Sequence, residues 1–404
     1  MKNIKKFISL ALVAALAVSS LAACGKKESS DSGENAGTEN AGTENTGGES
    51  GSVFKIGGIG PTTGGAAVYG QAVKNGAEMA AKEINAAGGI NGVQIELNFQ
   101  DDEHDAEKAV NAYNTLKDWG MQALLGAVTS VPCIAVAEES QKDNIFQLTP
   151  SGTAVECVQY ENAYRVCFSD PNQGVASADY IAENQLATKI AVIYDSSDTY
   201  SSGIYQAFAA EAKTKGLEIV AAEAFTADNK TDFSVQIQKA KDAGAELVFL
   251  PFYYQEASLV LKQAKSMSYS PIFFSCDGLD GILDVDGFDA SLAEGAMFLA
   301  PFCATSEDET VKTFVTAFEE AYGETPNQFA ADAYDGVYIL KEAMEKAEVT
   351  ADMSASDICD AVKAAMTEIT FSGVTAKEMT WTADGEPEKA PMVLQIENGK
   401  YKEL

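Results

Sequence analysis

Arginine is nearly absent from this 404-residue chain: Arg165 is the sole example, and His104 is the sole histidine. One guanidinium cannot form the cluster of forks that grips phosphates or dicarboxylates. One histidine leaves little from which to build a zinc site or a serine–histidine relay. No C-x-x-C pair, GxSxG-type elbow or Walker loop occurs. Positive charge is scarce throughout, with 28 Lys+Arg against 60 Asp+Glu and a net charge of −32. Such a surface repels phosphate backbones, so nucleic acid is excluded as a partner. No apolar run reaches the roughly 20 residues of an ordinary spanning helix.

The first residues form a targeting segment. Lys2, Lys5 and Lys6 precede an apolar run over 7–21, and Leu21-Ala22-Ala23-Cys24 closes it. This resembles a bacterial lipobox, in which Cys24 is lipidated and becomes the mature N-terminus, so 1–23 is expected to be a signal peptide. Residues 24–52 contain ENAGTENAGTENTGG and no apolar face that could offset the entropy of ordering, and are expected to be a flexible acidic tether. With the leader's +3 and the tether's −4 set aside, residues 53–404 carry −31 and have length for two cores. Cys133, Cys157, Cys167, Cys276, Cys303 and Cys359 remain there. Cys157–Cys167 and Cys276–Cys303 are the disulfides to test against six buried thiols.

Apolar runs alternate with amphipathic stretches, a pattern of βαβ units and parallel sheets. Strands are expected at 54–59, 93–99, 123–125, 145–148, 190–194, 218–224, 247–250, 272–274 and 296–300. Helices are expected at 69–87, 106–119, 131–142, 174–184, 202–215, 233–243, 256–267, 310–322, 332–347 and 356–366. Short extended pieces at 371–373 and 379–381 precede a closing hairpin at 392–401. Two such lobes would place the loops at their carboxyl strand ends in one cleft, where open α/β sheets bind ligands.

Enzymatic chemistry finds little support. His104 lies in Asp-Asp-Glu-His-Asp ahead of a helix, which reads as a solvated loop with Asp105 as the cap rather than a metal site. Gly57-Gly58-Ile59-Gly60 follows a strand, but Pro61 and Thr63 break the dinucleotide fingerprint, and Asp101 is then no ribose acid. No catalytic residue, metal or cofactor is expected.

The segment Lys55-Ile-Gly-Gly-Ile-Gly-Pro-Thr-Thr-Gly-Gly-Ala-Ala-Val-Tyr-Gly70, with 76–92, Asp101-Asp102, Leu125-Gly126, 149–153, 193–195, 200–203 and 252–256, resembles branched-chain amino-acid-binding proteins. The resemblance covers 53–404. It implies a type I periplasmic-binding-protein fold, two doubly wound α/β lobes joined by a multi-stranded hinge, with 53–170 plus 303–378 in the N-terminal lobe and 171–302 plus 379–404 in the C-terminal lobe. It further implies an extracytoplasmic lipoprotein on the outer face of the cell membrane. That protein would carry a small neutral amino acid to the transmembrane subunits of an ABC permease. In that family the ligand carboxylate would meet Ser130 and Thr153, and the ammonium would meet Asp277 and the Ser151 carbonyl. Tyr69, Tyr200, Tyr253 and Phe329 would wall the pocket, with Tyr254 as an alternative to Tyr253. The family more often has Glu where this chain has Asp277. His104 and Thr129 stand where some members carry a disulfide, so that bridge should be absent. An amide, urea or aromatic acid on the same scaffold, or a ligand-sensing role, are the alternatives; no transmembrane helix follows toward residue 404.

Overall fold

The structure, a computed structural model, describes residues 52–404; the leader, Cys24 and the tether lie outside the described residues. Two sheets organise it. The first contains β1 (Phe54–Gly60), β2 (Ile95–Asp101), β3 (Ala123–Leu125), β4 (Phe146–Thr149) and β5 (Ala163–Arg165), all parallel, in the order β2-β1-β3-β4-β5. The second contains β6 (Lys189–Asp195), β7 (Glu218–Phe225), β8 (Leu247–Leu250), β9 (Ile272–Ser275), β10 (Met297–Ala300), β11 (Met392–Glu397) and β12 (Lys400–Glu403). Its order is β12-β11-β10-β9-β8-β6-β7, parallel except where β10, β11 and β12 pair antiparallel. Both are the crossover arrangements that the alternating pattern implied.

Helices α1 (Ala67–Ala86), α2 (Ala106–Trp119), α3 (Ser130–Asp143), α8 (Glu309–Tyr322), α9 (Gln328–Lys346) and α10 (Ala355–Met366) serve the first sheet. Helices α4 (Asp170–Glu183), α5 (Thr199–Lys215), α6 (Ser234–Asp242) and α7 (Tyr254–Ser266) serve the second. Asp105 caps α2 by accepting from Lys108 N at 2.9 Å, as its position predicted. The glycines of β1 answer to packing: a Cβ on Gly58 would stand 2.3 Å from Phe99, and one on Gly60 would stand 2.4 Å from Val128. Helix α9 begins four residues earlier than its apolar face suggests, because Asn327 accepts from Ala330 N at 3.2 Å and caps it. Strand β5 was not anticipated; three residues are too few to show alternation.

The chain crosses between the sheets after β5, after β10 and before β11, and buried charge ties these passages together. Lys389 Nζ lies 2.7 Å from Asp332 of α9, both 2% exposed, and donates to Thr375 Oγ1 at 2.8 Å and Val166 O at 3.2 Å. Residues 381–388, assigned by sequence to the second lobe, run beside β5: Arg165 N donates to Gly385 O at 3.1 Å, and Trp381 Nε1 donates to Arg165 O at 2.8 Å. The Arg165 side chain is fully buried and donates to Gly152 O at 3.0 Å, Thr153 O at 2.6 Å and Ala154 O at 2.8 Å. Its counter-ion Glu386, at 3.2 Å, keeps a third of its side chain exposed.

Removing a buried cation that serves three carbonyls leaves each of them unpaired, whereas a half-exposed acid regains water. Arg165→Met should therefore cost on the order of 3–5 kcal/mol in urea unfolding, and Glu386→Gln, which keeps the three carbonyl bonds of the guanidinium, clearly less. Equal effects of the two substitutions would show that Arg165 is held by its ion pair and not by the loop.

Candidate functional site

Loops at the carboxyl ends of both sheets converge on one small, narrow cavity. Tyr69, Ser130, Ser151, Thr153, Tyr200, Tyr253, Asp277 and Phe329 all line it, with Val128, Thr129 and Gly278 between them. Ser130 opens α3 just beyond β3, and Ser151 and Thr153 follow β4. Tyr200, Tyr253 and Asp277 follow β6, β8 and β9. Tyr254, the alternative to Tyr253, packs edge-on against Tyr69 at 5.0 Å and is outside the lining.

The first-sheet wall is made of neutral donors held by their own backbone. Ser130 Oγ accepts from Ala154 N at 3.2 Å, which leaves its hydroxyl proton for another acceptor. Ser151 Oγ donates to Val128 O at 2.8 Å, so this side chain is committed to the loop. Thr149 Oγ1 donates to Ala127 O and accepts from Gly152 N, both at 2.7 Å. Arg165 draws the carbonyls of residues 152–154 backward, away from the cavity, into its own buried fork.

The opposite wall carries the acid. Asp277 is 4% exposed, and its Oδ1 accepts from Tyr200 Oη at 2.7 Å. Its main chain is fixed on both sides: its N–H donates to Gln173 Oε1 at 3.0 Å, and its carbonyl accepts from Gln328 Nε2 at 2.9 Å. Burial pushes the Asp277 carboxyl up to about 6, against the hydrogen bond from Tyr200. Tyr69, on α1, donates to Gly278 O at 2.6 Å and so bridges the two walls. Its ring lies 4.2 Å from Phe329, while Tyr200 and Tyr253 stack at 5.0 Å. Gln173 and Gln328 were missed from sequence, because both lie far along the chain from the acid that they hold.

Other expectations are placed elsewhere. Asp101 accepts from Thr62 N at 2.9 Å and Thr63 Oγ1 at 2.6 Å, so it shapes the loop after β1. His104 is part-buried, with Nδ1 2.8 Å from Thr129 Oγ1, so the two residues meet through a hydrogen bond. Burial, then Lys230, hold the His104 imidazole down at about 4. Cys133, Cys157, Cys167, Cys276, Cys303 and Cys359 are all free and buried, so neither candidate disulfide forms.

The chain matches the family described as "Periplasmic binding protein" over residues 53–400. It is 31% identical over 302 residues to Leu/Ile/Val-binding protein homolog 3 of Brucella melitensis, covering 74% of this chain and 81% of that one. Among solved structures, the branched-chain amino acid transporter substrate binding protein LivJ from Streptococcus pneumoniae, in complex with isoleucine, superposes with a TM-score of 0.79 and 29% identity. That match covers 87% of this chain and 98% of LivJ. A leucine binding protein, LivK, from Thermotoga maritima gives 0.78 at 25% identity, with 87% and 98% covered.

The buried acids also set how stability follows pH. Burial raises Asp102 and Asp280 to about 7, and Asp198, Asp277 and Asp335 to about 6, all above the usual value near 4. The folded state then binds more protons than the unfolded state between these values. Stability present at the acid end is lost as pH rises through the folded pKa values. The urea midpoint should therefore fall as the pH is raised from 4.5 to 7.5. A midpoint that rises over this range would contradict the burial of these carboxyls.

Proposed function

The chain belongs to the periplasmic binding protein family, and from that premise we propose that it captures a neutral branched-chain α-amino acid between its two lobes and hands it to a membrane importer. The carrying observation is the polarity of one cavity lined by buried residues: the neutral hydroxyl residues Ser130 and Thr153 on one wall and a buried acid, Asp277, on the other. An α-amino acid has that same polarity, a carboxylate at one end and an ammonium at the other. The isoleucine in LivJ and the names of the Brucella and Thermotoga relatives support the aliphatic side chain. Aromatic rings from Tyr69, Tyr200, Tyr253 and Phe329 supply an apolar surround for it.

In this reading the open protein takes the ligand on the wall of Ser130, Ser151 and Thr153. Closure brings Tyr200, Tyr253 and Asp277 over it, and the ligand favours the closed state because only that state offers both sets of contacts. Members of the family act outside the cytoplasm as binding proteins. This chain performs no chemistry on its ligand and needs no cofactor; the partner is the transmembrane part of an ABC permease. Cys24 carries the lipid that holds it at the outer face of the membrane, and several acyl chains make that hold lasting.

A thermal-shift screen over the twenty amino acids should single out leucine, isoleucine or valine, since a ligand that binds only the folded state raises its stability with concentration over affinity. Asp277→Ala should then weaken the selected ligand by on the order of 2–5 kcal/mol in calorimetry, the cost of an unpaired buried ammonium. A shift with an amide, urea or aromatic acid and none with any amino acid would overturn the reading, as would unchanged affinity in the variant. For the anchor, Cys24→Ser should move the protein from the membrane fraction into the medium or periplasm. Continued sedimentation with membranes would remove Cys24 from that role.

A further inference from the structure

The turn that leaves β9, residues 277–281, belongs to the second sheet but is held by α1 and α9, which pack on the first. Gln328, the first residue of α9, donates its N–H to Asp280 Oδ2 at 2.9 Å and its Nε2 to the Asp277 carbonyl at 2.9 Å. Tyr69 of α1 donates to the carbonyl of Gly278 between them at 2.6 Å. Asp280 and Gln328 are each 2% exposed, so solvent does not compete for these bonds. Gly281 ends the turn at φ +100°, and a Cβ there would stand 2.8 Å from Val68 Cγ1 of α1. The turn meets both helices with no slack.

Each partner supplies what the other lacks. The first N–H groups of a helix have no acceptor within it. Asn327 takes the Ala330 N–H at 3.2 Å, and α9 has no acid of its own in its first turn, so the Gln328 N–H is left for an acceptor from elsewhere. A carboxylate suits that place, because the helix dipole concentrates positive charge there. On the other side, Asp280 Oδ1 has no partner among the described residues. The Gln328 N–H is then the donor that keeps Asp280 from being a buried, unpaired charge.

We propose that Gln328 and Asp280 form a latch across the cleft, made when the lobes close and broken when they open. The inference rests on the reading of a ligand captured by lobe closure, and it adds the device that keeps the lobes shut. Neither residue lines the cavity, so both are positioning residues. The Gln328 amide fixes the main chain of Asp277 while its N–H takes Asp280, so seating that acid and shutting the cleft are a single event. In the open protein both groups return to water, and the latch adds nothing to the first encounter with ligand. What it changes is the fraction of loaded protein that reopens, and hence the rate of release.

The test measures leucine binding by intact Asp280→Ala and Gln328→Met proteins, each of which removes one of the two bonds. Calorimetry gives the affinity, and a chase of radiolabelled leucine with excess unlabelled leucine gives the release rate. Affinity should fall roughly five- to fiftyfold in each variant. All of that loss should come from faster release, with the association rate held within about twofold. Asp280→Asn keeps an acceptor oxygen for the Gln328 N–H and should release leucine less than about threefold faster than wild type. The urea midpoint of ligand-free protein should not move, because the open form makes neither bond. Release at the wild-type rate in either Asp280→Ala or Gln328→Met would overturn the latch. So would a loss carried by slower association, or a ligand-free midpoint that falls along with affinity, which would make the pair an ordinary part of the folded structure. Should Asp280→Ala fail to fold, Gln328→Met decides alone, since it keeps the α9 N-terminus and its bond to Asp280. Wild type that binds none of leucine, isoleucine or valine would sink the amino-acid reading and this inference with it; wild type that binds leucine while a variant releases it unchanged would sink only the latch.

Discussion

The guanidinium of Arg165, buried and bonded to the carbonyls of three successive residues, is the constraint on which the cleft depends. A loop that follows a strand would ordinarily turn some carbonyls and some N–H groups toward any cavity beside it. Here residues 152–154 have their carbonyls drawn into one fixed fork, and a carboxylate can approach the loop without meeting that row of negative dipoles. The same residue accepts from Trp381 through its own carbonyl and pairs with Glu386 of the strap beside β5. The ligand wall and a passage between lobes therefore share one anchor. A lysine could not reproduce this, because a point charge lacks the planar array of donors. That the chain spends its one arginine here, away from ligand contact, is consistent with a pocket that binds its anion through neutral groups.

Opposite that wall the structure tolerates a strained electrostatic arrangement. Asp277 is buried in a site whose desolvation disfavours its charge, and Asp332 adds to the upward push on its carboxyl. In the proposed mechanism an ammonium relieves this cost, so the ligand gains most in the closed state, where the acid is driest. Differential affinity of that kind is what shifts a hinge equilibrium. Lys389, Asp332 and Thr375 pin the third crossing to the first and to α9.

Much of the fold was legible because the signals are local. Buried parallel strands such as β8 show as unbroken apolar runs, and α2 announces itself by the Asp105 cap and the Gly120 that follows it in the left-handed region. Where polar residues form the first turn, the signal failed. Helix α4 begins with Asp170-Pro171-Asn172, which reads as a turn, and α9 begins with Gln328-Phe329 behind the Asn327 cap. Of the cleft, the residue types that face the cavity were readable through the family likeness. The residues that hold them were not: Gln173 reaches Asp277 across 104 positions, and Lys389 reaches Asp332 across 57. No periodicity encodes such pairs, because they arise only when the sheets are assembled.

The most direct measurement of the account is a crystal structure of the protein grown with leucine. The leucine carboxylate should lie against Ser130 and the N–H groups of Ser151 and Thr153, and its ammonium within hydrogen-bonding distance of the Asp277 carboxylate, with no bulk water between. An empty crevice, a reversed ligand, or an Asp277 side chain turned out to solvent would contradict it.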